Sequence, residues 1–384
     1  MPDAPVIVSS DPESFPHSVL AERHPALIRK VLDAFPYGPD RRRALDALLT
    51  SVTEGVLEPL GPDAADGAQW DAWGLRAYAG RSWFEVPFLW AESYFYRRLL
   101  EAVGYFAPGP WRGVDPFRPF KLAELDTPEA DAELAALDQL AARPAQDRAT
   151  ALLHGSLWGN RADLGFQLSA AGGPSAERQL VADESELFWA LFSGGTVCLV
   201  ADNAGRELIP DLLLIDHLLL HGRADRVVLH LKPYPYYVSD ATTADLLDAV
   251  HRLTGAGGAA AESGRRLRVA LTDGSLAVRT HPFSCAPLPY ADMPDDLAHE
   301  FAQADVTLLK GDLNYRRLVG DRDWPPTTPF ARATAYFPGP VAALRTLKSD
   351  VVVGLAPRTE SSLVAAEGQS WRTSGTHALI QARP

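Results

Sequence analysis

The run Thr196-Val-Cys-Leu-Val-Ala-Asp-Asn-Ala-Gly-Arg-Glu-Leu208 constrains this chain more than any other segment. Its apolar start has the length and composition of a buried strand. Asp202, Asn203 and Gly205 then mark a tight turn, and a leucine-rich helical pattern runs from about Pro210 to Leu220. Strand, turn and helix in that order belong to an α/β sheet, whose ligands bind in the crevice beyond the carboxyl ends of the strands. Asp202 and Asn203 are therefore expected to offer a carboxylate and an amide oxygen to that crevice. Two such oxygens side by side suit a hard divalent cation. The same residues are good helix N-caps, and the two roles are compatible.

The pattern recurs in looser form. Arg226-Val-Val-Leu-His-Leu231 is followed by Lys232-Pro-Tyr-Pro-Tyr-Tyr-Val-Ser-Asp240. Asp305-Val-Thr-Leu-Leu309 is followed by Lys310-Gly-Asp-Leu-Asn-Tyr-Arg316. A fourth strand is expected at Asp350-Val-Val-Val-Gly-Leu355, preceded by Arg345-Thr-Leu-Lys348. Polar residues at strand ends ordinarily just make turns. Four such clusters, each with charged or amide groups, point to a site.

The rest of the chain sets the frame. Residues 1 to about 18 are rich in Pro, Ser and Asp and read as a loose arm. Helical spacing follows from about Pro25 to Leu60, then dense aromatics from Trp70 to Tyr105, then an Ala/Leu/Glu helix from Thr127 to Ala142. From about Ala151 strands and helices alternate. The expected fold is α/β, a mostly parallel, Rossmann-like sheet flanked by helices. The expected division is a mainly helical region over residues 1–150 and an α/β metal- and substrate-binding domain over residues 151–384. Ala170–Ala176 reads as a flexible turn. Gly255–Gly264 reads as a Gly/Ala loop, an insertion in preference to a lid.

Composition excludes several classes. Lys plus Arg number 36 against 49 Asp plus Glu, so a nucleic-acid surface is not expected. A local metal and a few cations still create a positive pocket for an anionic substrate. No apolar run approaches a membrane span, and the start of the chain has no signal-like apolar core. With only Cys198 and Cys285, no disulfide framework or zinc site is expected and the cytoplasm is the expected compartment. His154, His217, His221 and His230 read as structural or surface groups, because no Glu accompanies His217 and His221 in the zincin pattern. No Gly-x-Gly-x-x-Gly follows the first strand, so a dinucleotide or methyl-donor site of that type has no support. Nothing in the sequence specifies an oligomeric state.

Asp202-Asn-x-Gly-x-Glu207, Lys310-Gly-Asp-Leu-Asn-Tyr-Arg316 and Arg345-Thr-x-Lys348 together resemble the metal-dependent damage-control phosphatase family. The resemblance is to the subfamily marked by Arg-Thr-x-Lys, whose eukaryotic members are also described as acidic-residue (protein-carboxyl) methyltransferases. Trp83–Arg98, Asp115-Pro-Phe117 and Ser156–Leu164 are similar to the family too, so the likeness covers roughly residues 20 to 360.

The resemblance implies a metal-dependent phosphoric monoester hydrolase acting on a small phosphorylated metabolite, a sugar phosphate. It implies metal ligands at Asp202, Asn203 and Asp240, although Asp240 alone reads as a helix N-cap. The implied ion is Mn, Co, Ni or Mg. Glu207 is implied as a sugar-hydroxyl contact, against a plain first-turn acid favoured by the helix dipole. Asp312, Leu313, Asn314, Tyr315 and Arg316 are the expected substrate segment, offering acceptor, amide, phenol and a guanidinium fork for phosphate. Lys348 is expected on the phosphoryl group, while Arg345 either reaches substrate or braces its loop. Glu92 and Arg97 are further residues that could reach the cleft. Asp202, Asn203 and Lys348 form the expected catalytic set, with Asp202 a candidate nucleophile or base. Alternatives are carboxyl methyl transfer from S-adenosylmethionine, metabolite binding without turnover, and recruitment of the metal scaffold to a specialised biosynthetic reaction.

Overall fold

The computed structural model describes residues 4–159 and 179–384. The expected turn at Ala170–Ala176, and residues 160–164 of the Ser156–Leu164 segment, lie outside them. The strands are β1 (Gln179–Asp183), β2 (Thr196–Val200), β3 (Arg226–Leu231), β4 (Leu276–Thr280), β5 (Val306–Lys310), β6 (Val341–Thr346) and β7 (His377–Arg383). They form one sheet in the order β1-β7-β6-β5-β2-β3-β4. Every neighbouring pair is parallel except β6 and β7. The mostly parallel α/β sheet read from the sequence is the fold.

Side-chain alternation along β2 shows why its run is continuously apolar. Val197 and Leu199 join the core under helix Leu208–Leu220, whereas Cys198 and Val200 join the core on the opposite face. A strand covered on both faces has no polar side to show. From β2 the chain moves one way, to β3 and β4. It then returns to β5 on the other side of β2 and continues to β6. The carboxyl ends of β2 and β5 thus frame the topological switch point, where an open α/β sheet leaves a crevice.

Helices Pro128–Ala141 and Ala145–Trp158 share the core of the first face. A separate, aromatic-rich core holds helices His24–Ala34, Pro39–Glu54 and Phe88–Val103, with Trp70, Trp83, Trp90 and Phe95 buried as their spacing predicts. This core also takes in Tyr236, beyond β3, and Leu313, beyond β5. The N-terminal helices therefore pack onto the carboxyl-end side of the sheet.

Three expectations are corrected. The fourth strand is Val341–Thr346, not the run at 350–355. Val351, Val352 and Val353 are buried, but side chains satisfy their backbone: Val351 O accepts from Arg345, and Val353 O from Gln381 Nε2 at 2.7 Å. The Gly/Ala stretch is not a loop. It ends helix Thr243–Gly255 and opens helix Gly258–Asp273. A Cβ on Gly264 would lie 2.7 Å from Thr254 N, so its glycine permits the two helices to touch. The N-terminal arm is not loose either. Ile7 N donates to Asp321 O at 3.3 Å, Phe88 N donates to Ile7 O at 2.9 Å, and Ser9 is buried.

Candidate active site

The loops after β2 and β3 are zipped together. Ala241 N donates to Asp202 O at 2.9 Å, Ala204 N donates to Ser239 O at 2.6 Å, and Asn203 and Asp240 form an antiparallel bridge. Backbone pairing of two sequence-distant turns thus brings together the three expected oxygen ligands. Asn203 is held at both ends: Ser239 Oγ donates to its Oδ1 at 2.8 Å, and its Nδ2 donates to Glu207 Oε2 at 2.7 Å. The other oxygen of Glu207 lies 3.7 Å from Lys348 Nζ.

The turn after β5 closes the other side of the crevice. Gly311 has φ of +82° and stands against Asp202. Asp312 Oδ1 accepts from Arg345 Nε at 2.8 Å, from Ser349 Oγ at 3.1 Å and from the Lys348 amide at 3.2 Å. Burial works to raise the Asp312 pKa, but the Arg345 and Arg316 guanidiniums outweigh it and hold the carboxyl below its ordinary value. Arg345 itself is fully buried. It also donates to Ser349 O at 3.1 Å and lies 4.4 Å over the Tyr315 ring. Of the two roles open to it, the structure gives Arg345 the bracing one, and Lys348 the open one, with its side chain 42 % exposed at the crevice.

The Asp312–Arg316 segment divides. Asp312, Leu313 and Arg316 line the crevice. Asn314 does not: its Nδ2 donates to Lys310 O at 2.8 Å and Ala201 O at 3.0 Å, and Tyr290 donates to its Oδ1. It staples the end of β5 to the end of β2. Tyr315 is likewise buried in the core, with its hydroxyl donating to Gln381 Oε1 at 2.8 Å. Arg316 reaches the crevice already paired. Its Nε is 2.7 Å from Asp321 Oδ1 and its Nη1 is 2.8 Å from Glu92 Oε2. Glu92 lines the crevice as expected, whereas Arg97 is engaged by Asp66 at 2.6 Å.

Sequence reasoning missed the deep cations. Lys310 is buried at the end of β5, with Nζ 2.7 Å from Asp211 Oδ1 and also donating to Ser156 O. Lys121 Nζ donates to Asp115 Oδ2 and Asp240 O at 3.0 Å each, and to Asp245 Oδ2 at 2.9 Å. Lys232 Nζ lies 3.4 Å from Asp240 Oδ2. The signal for Lys310 and Lys232 was their position, the first residues after an apolar run. Of the histidines set aside, His217 packs against His221 with ring centroids 4.5 Å apart and His230 is buried under Phe301.

Negative charge is concentrated here. Burial and the Glu207 carboxylate, helped by Asp240, push Asp202 well above the usual carboxylate range against Lys348 and Lys310. Burial pushes Asp240 up to about 6 in spite of Lys232 and Lys121. Asp240 Oδ2 is shielded from solvent, with the Lys232 ammonium beside it.

A mostly parallel sheet with clustered carboxylates, an amide and lysines at its switch point defines this α/β protein and its candidate site. The sequence profile of the damage-control phosphatase ARMT1-like domain matches residues 19–363, and the chain belongs to that family. Among its relatives is the damage-control phosphatase ARMT1 of Rattus norvegicus, 30% identical across 99% of both chains. The Danio rerio protein of the same name is 29% identical over 96% of this chain and 94% of its own. A DUF89 family protein from Pyrococcus horikoshii is similar in structure, with a TM-score of 0.47 and 14% identity over 89% of this chain and 92% of that one. Family membership supports a phosphatase role. Among the described residues no helix is long and apolar enough to cross a membrane.

Proposed function

We propose that this chain is a divalent-cation-dependent phosphatase for a small phosphorylated metabolite, a sugar phosphate. One observation carries the reading: Asp202, Asn203, Glu207, Asp312 and Lys348 line one crevice at the switch point of the sheet. The cavity over this face, about 350 Å³, suits a ligand of that size.

The donor set fits a hard cation. Asp202, Asn203 and Asp240 all offer oxygen, and the buried Asp240 Oδ2 has the Lys232 ammonium 3.4 Å away. The amide oxygen of Asn203 completes the set. A bound Mn, Co, Ni or Mg ion would relieve the mutual repulsion of Asp202, Glu207 and Asp240, and would polarise a phosphoryl oxygen and a water.

The chain's own groups do the rest. Lys348 brings an ammonium to the charge that develops on the phosphoryl oxygens. Ser239 and Glu207 fix the Asn203 amide in one orientation. Glu207 and the second oxygen of Asp312 accept hydrogen bonds from sugar hydroxyls. Asp202 serves as base or nucleophile in this reading. Arg316, already neutralised by Glu92 and Asp321, shapes the crevice and adds little net charge.

The test is phosphate release from a panel of phosphorylated metabolites with Mn, Co, Ni, Mg or chelator. Metal-stimulated release supports the reading, and full activity in chelator removes the cation from it. Calorimetric binding of S-adenosylmethionine with no phosphate release would turn the chain towards carboxyl methyl transfer.

A further inference from the structure

The crevice has a wall that the chemistry above does not use. Phe15, Val19, Arg23, His24 and Leu27 line it together with Asp202, Asp240 and Lys348. They come from one helical run in which Phe15–Ser18 and His24–Ala34 are α and Val19–Arg23 is π. The His24 amide donates to Val19 O across that wider turn. An i→i+5 turn is rare and recurs at functional sites. Here it places Arg23 and His24 along the same wall, with the His24 ring nitrogens shielded from solvent.

His24 is the unusual group on this wall. It is buried, and its ring stacks on Phe95 with centroids 3.7 Å apart and planes 6° apart. Among the described residues neither ring nitrogen has a hydrogen-bond partner. A histidine kept for packing normally has its nitrogens bonded, because burying them unpaired costs stability. Tyr96, edge-on to the same ring, and Glu92 line the crevice beside it.

We propose that His24 is a substrate-binding residue, whose imidazole hydrogen-bonds a hydroxyl of the substrate's sugar body and favours polyol phosphates over phosphate esters with an apolar body. The inference rests on the sugar-phosphate reading above. Burial pushes the imidazole pKa from 6.5 down to about 3, so the ring is no cation for phosphate. A neutral imidazole offers one donor and one acceptor, which is what a hydroxyl needs.

The experiment compares the parent chain with His24→Phe, which keeps the stack on Phe95 and removes both nitrogens. Calorimetry measures affinity for a set of hexose monophosphates and for phenyl phosphate, and melting temperature is recorded. His24→Phe is expected to weaken the best hexose monophosphate by roughly tenfold or more, as when a polar contact to a substrate hydroxyl is lost. Phenyl phosphate should stay within about twofold, with the melting temperature unchanged or raised. His24→Gln, which keeps a donor and an acceptor, should recover part of the loss. Equal changes for both ligands, or no change, overturn the proposal, and His24→Leu gives the same comparison should the Phe variant not fold. His24-dependent selectivity without phosphate release leaves the proposal standing and removes the phosphatase reading. Release with unaltered selectivity does the reverse. A parent chain that binds no hexose monophosphate better than phenyl phosphate overturns the role of His24.

Discussion

Gly311 faces Asp202 so closely that a Cβ on Gly311 would lie 1.8 Å from Asp202 Oδ2. The two residues end neighbouring strands, so this contact fixes the width of the crevice. Gly311→Ala would meet both the clash and a φ of +82°. The backbone alone disfavours alanine by about 1 kcal/mol. Displacing the Asp202 carboxylate by about 1 Å should cost on the order of a hundredfold in turnover. Turnover and denaturant midpoint, read on the same variant, check both. Unchanged turnover would show that Asp202 need not stay where Gly311 puts it.

Lys348 and Arg345 belong to one motif but should respond differently. The Lys348 side chain is 42 % exposed and its ammonium faces Glu207. Lys348→Ala should lower turnover about a hundredfold, roughly 3 kcal/mol of barrier, and change stability by under about 0.5 kcal/mol. A rate within about twofold of the parent, less than 1 kcal/mol of barrier, would take Lys348 out of the site.

Arg345→Lys should do the opposite. The fork of Arg345 binds Asp312, Ser349 and Val351 O at once, with no exposure to solvent. A lysine cannot reproduce that geometry. Breaking a buried pair costs about 3–5 kcal/mol, so the melting temperature should fall sharply, and turnover with it because Asp312 is released. A variant with the parent's melting temperature would contradict the bracing role.

Asp240→Asn separates ligand from cap. The capping box of helix Thr243–Gly255 is made by Thr242 and Asp245, so Asp240 is not needed for it. The substitution should weaken Mn or Co binding by roughly 10–100-fold, by analogy with disturbing the supporting groups of a metal site. Calorimetric titration with the bare ion reads this without turnover. Unaltered affinity would return Asp240 to a purely structural position.

Acid should destabilise the chain through its buried histidines. His24 and His230 are lowered by burial from 6.5 to about 3 and about 4. The unfolded chain protonates them below about 6.5 while the folded chain does not. Their contribution is therefore present above pH 6.5 and is lost as pH falls towards the folded values. Each can remove up to about 1.4 kcal/mol per pH unit in that window. Melting temperatures at several pH values should show a shallower acid decline for His24→Phe than for the parent. Parallel curves would mean that His24 does not titrate in this way.

Local pattern alone determined a large part of this protein. β2, its turn and its helix were legible because a strand buried on both faces has to be apolar and its turn has to be polar. The Lys310–Arg316 segment and the aromatic helix around Trp90 were legible for similar reasons. Tertiary structure decided what pattern cannot carry. A buried arginine made Val341–Thr346 unreadable as a strand, since Asp312, Ser349 and Val351 O together make that burial tolerable. Asn314 and Tyr315 look like ligand contacts in sequence, yet their partners are carbonyls and an amide up to 113 positions away in the chain. Gly264 reads as loop until a second helix lies against it. In each case a charge or a glycine takes its meaning from what the fold places against it.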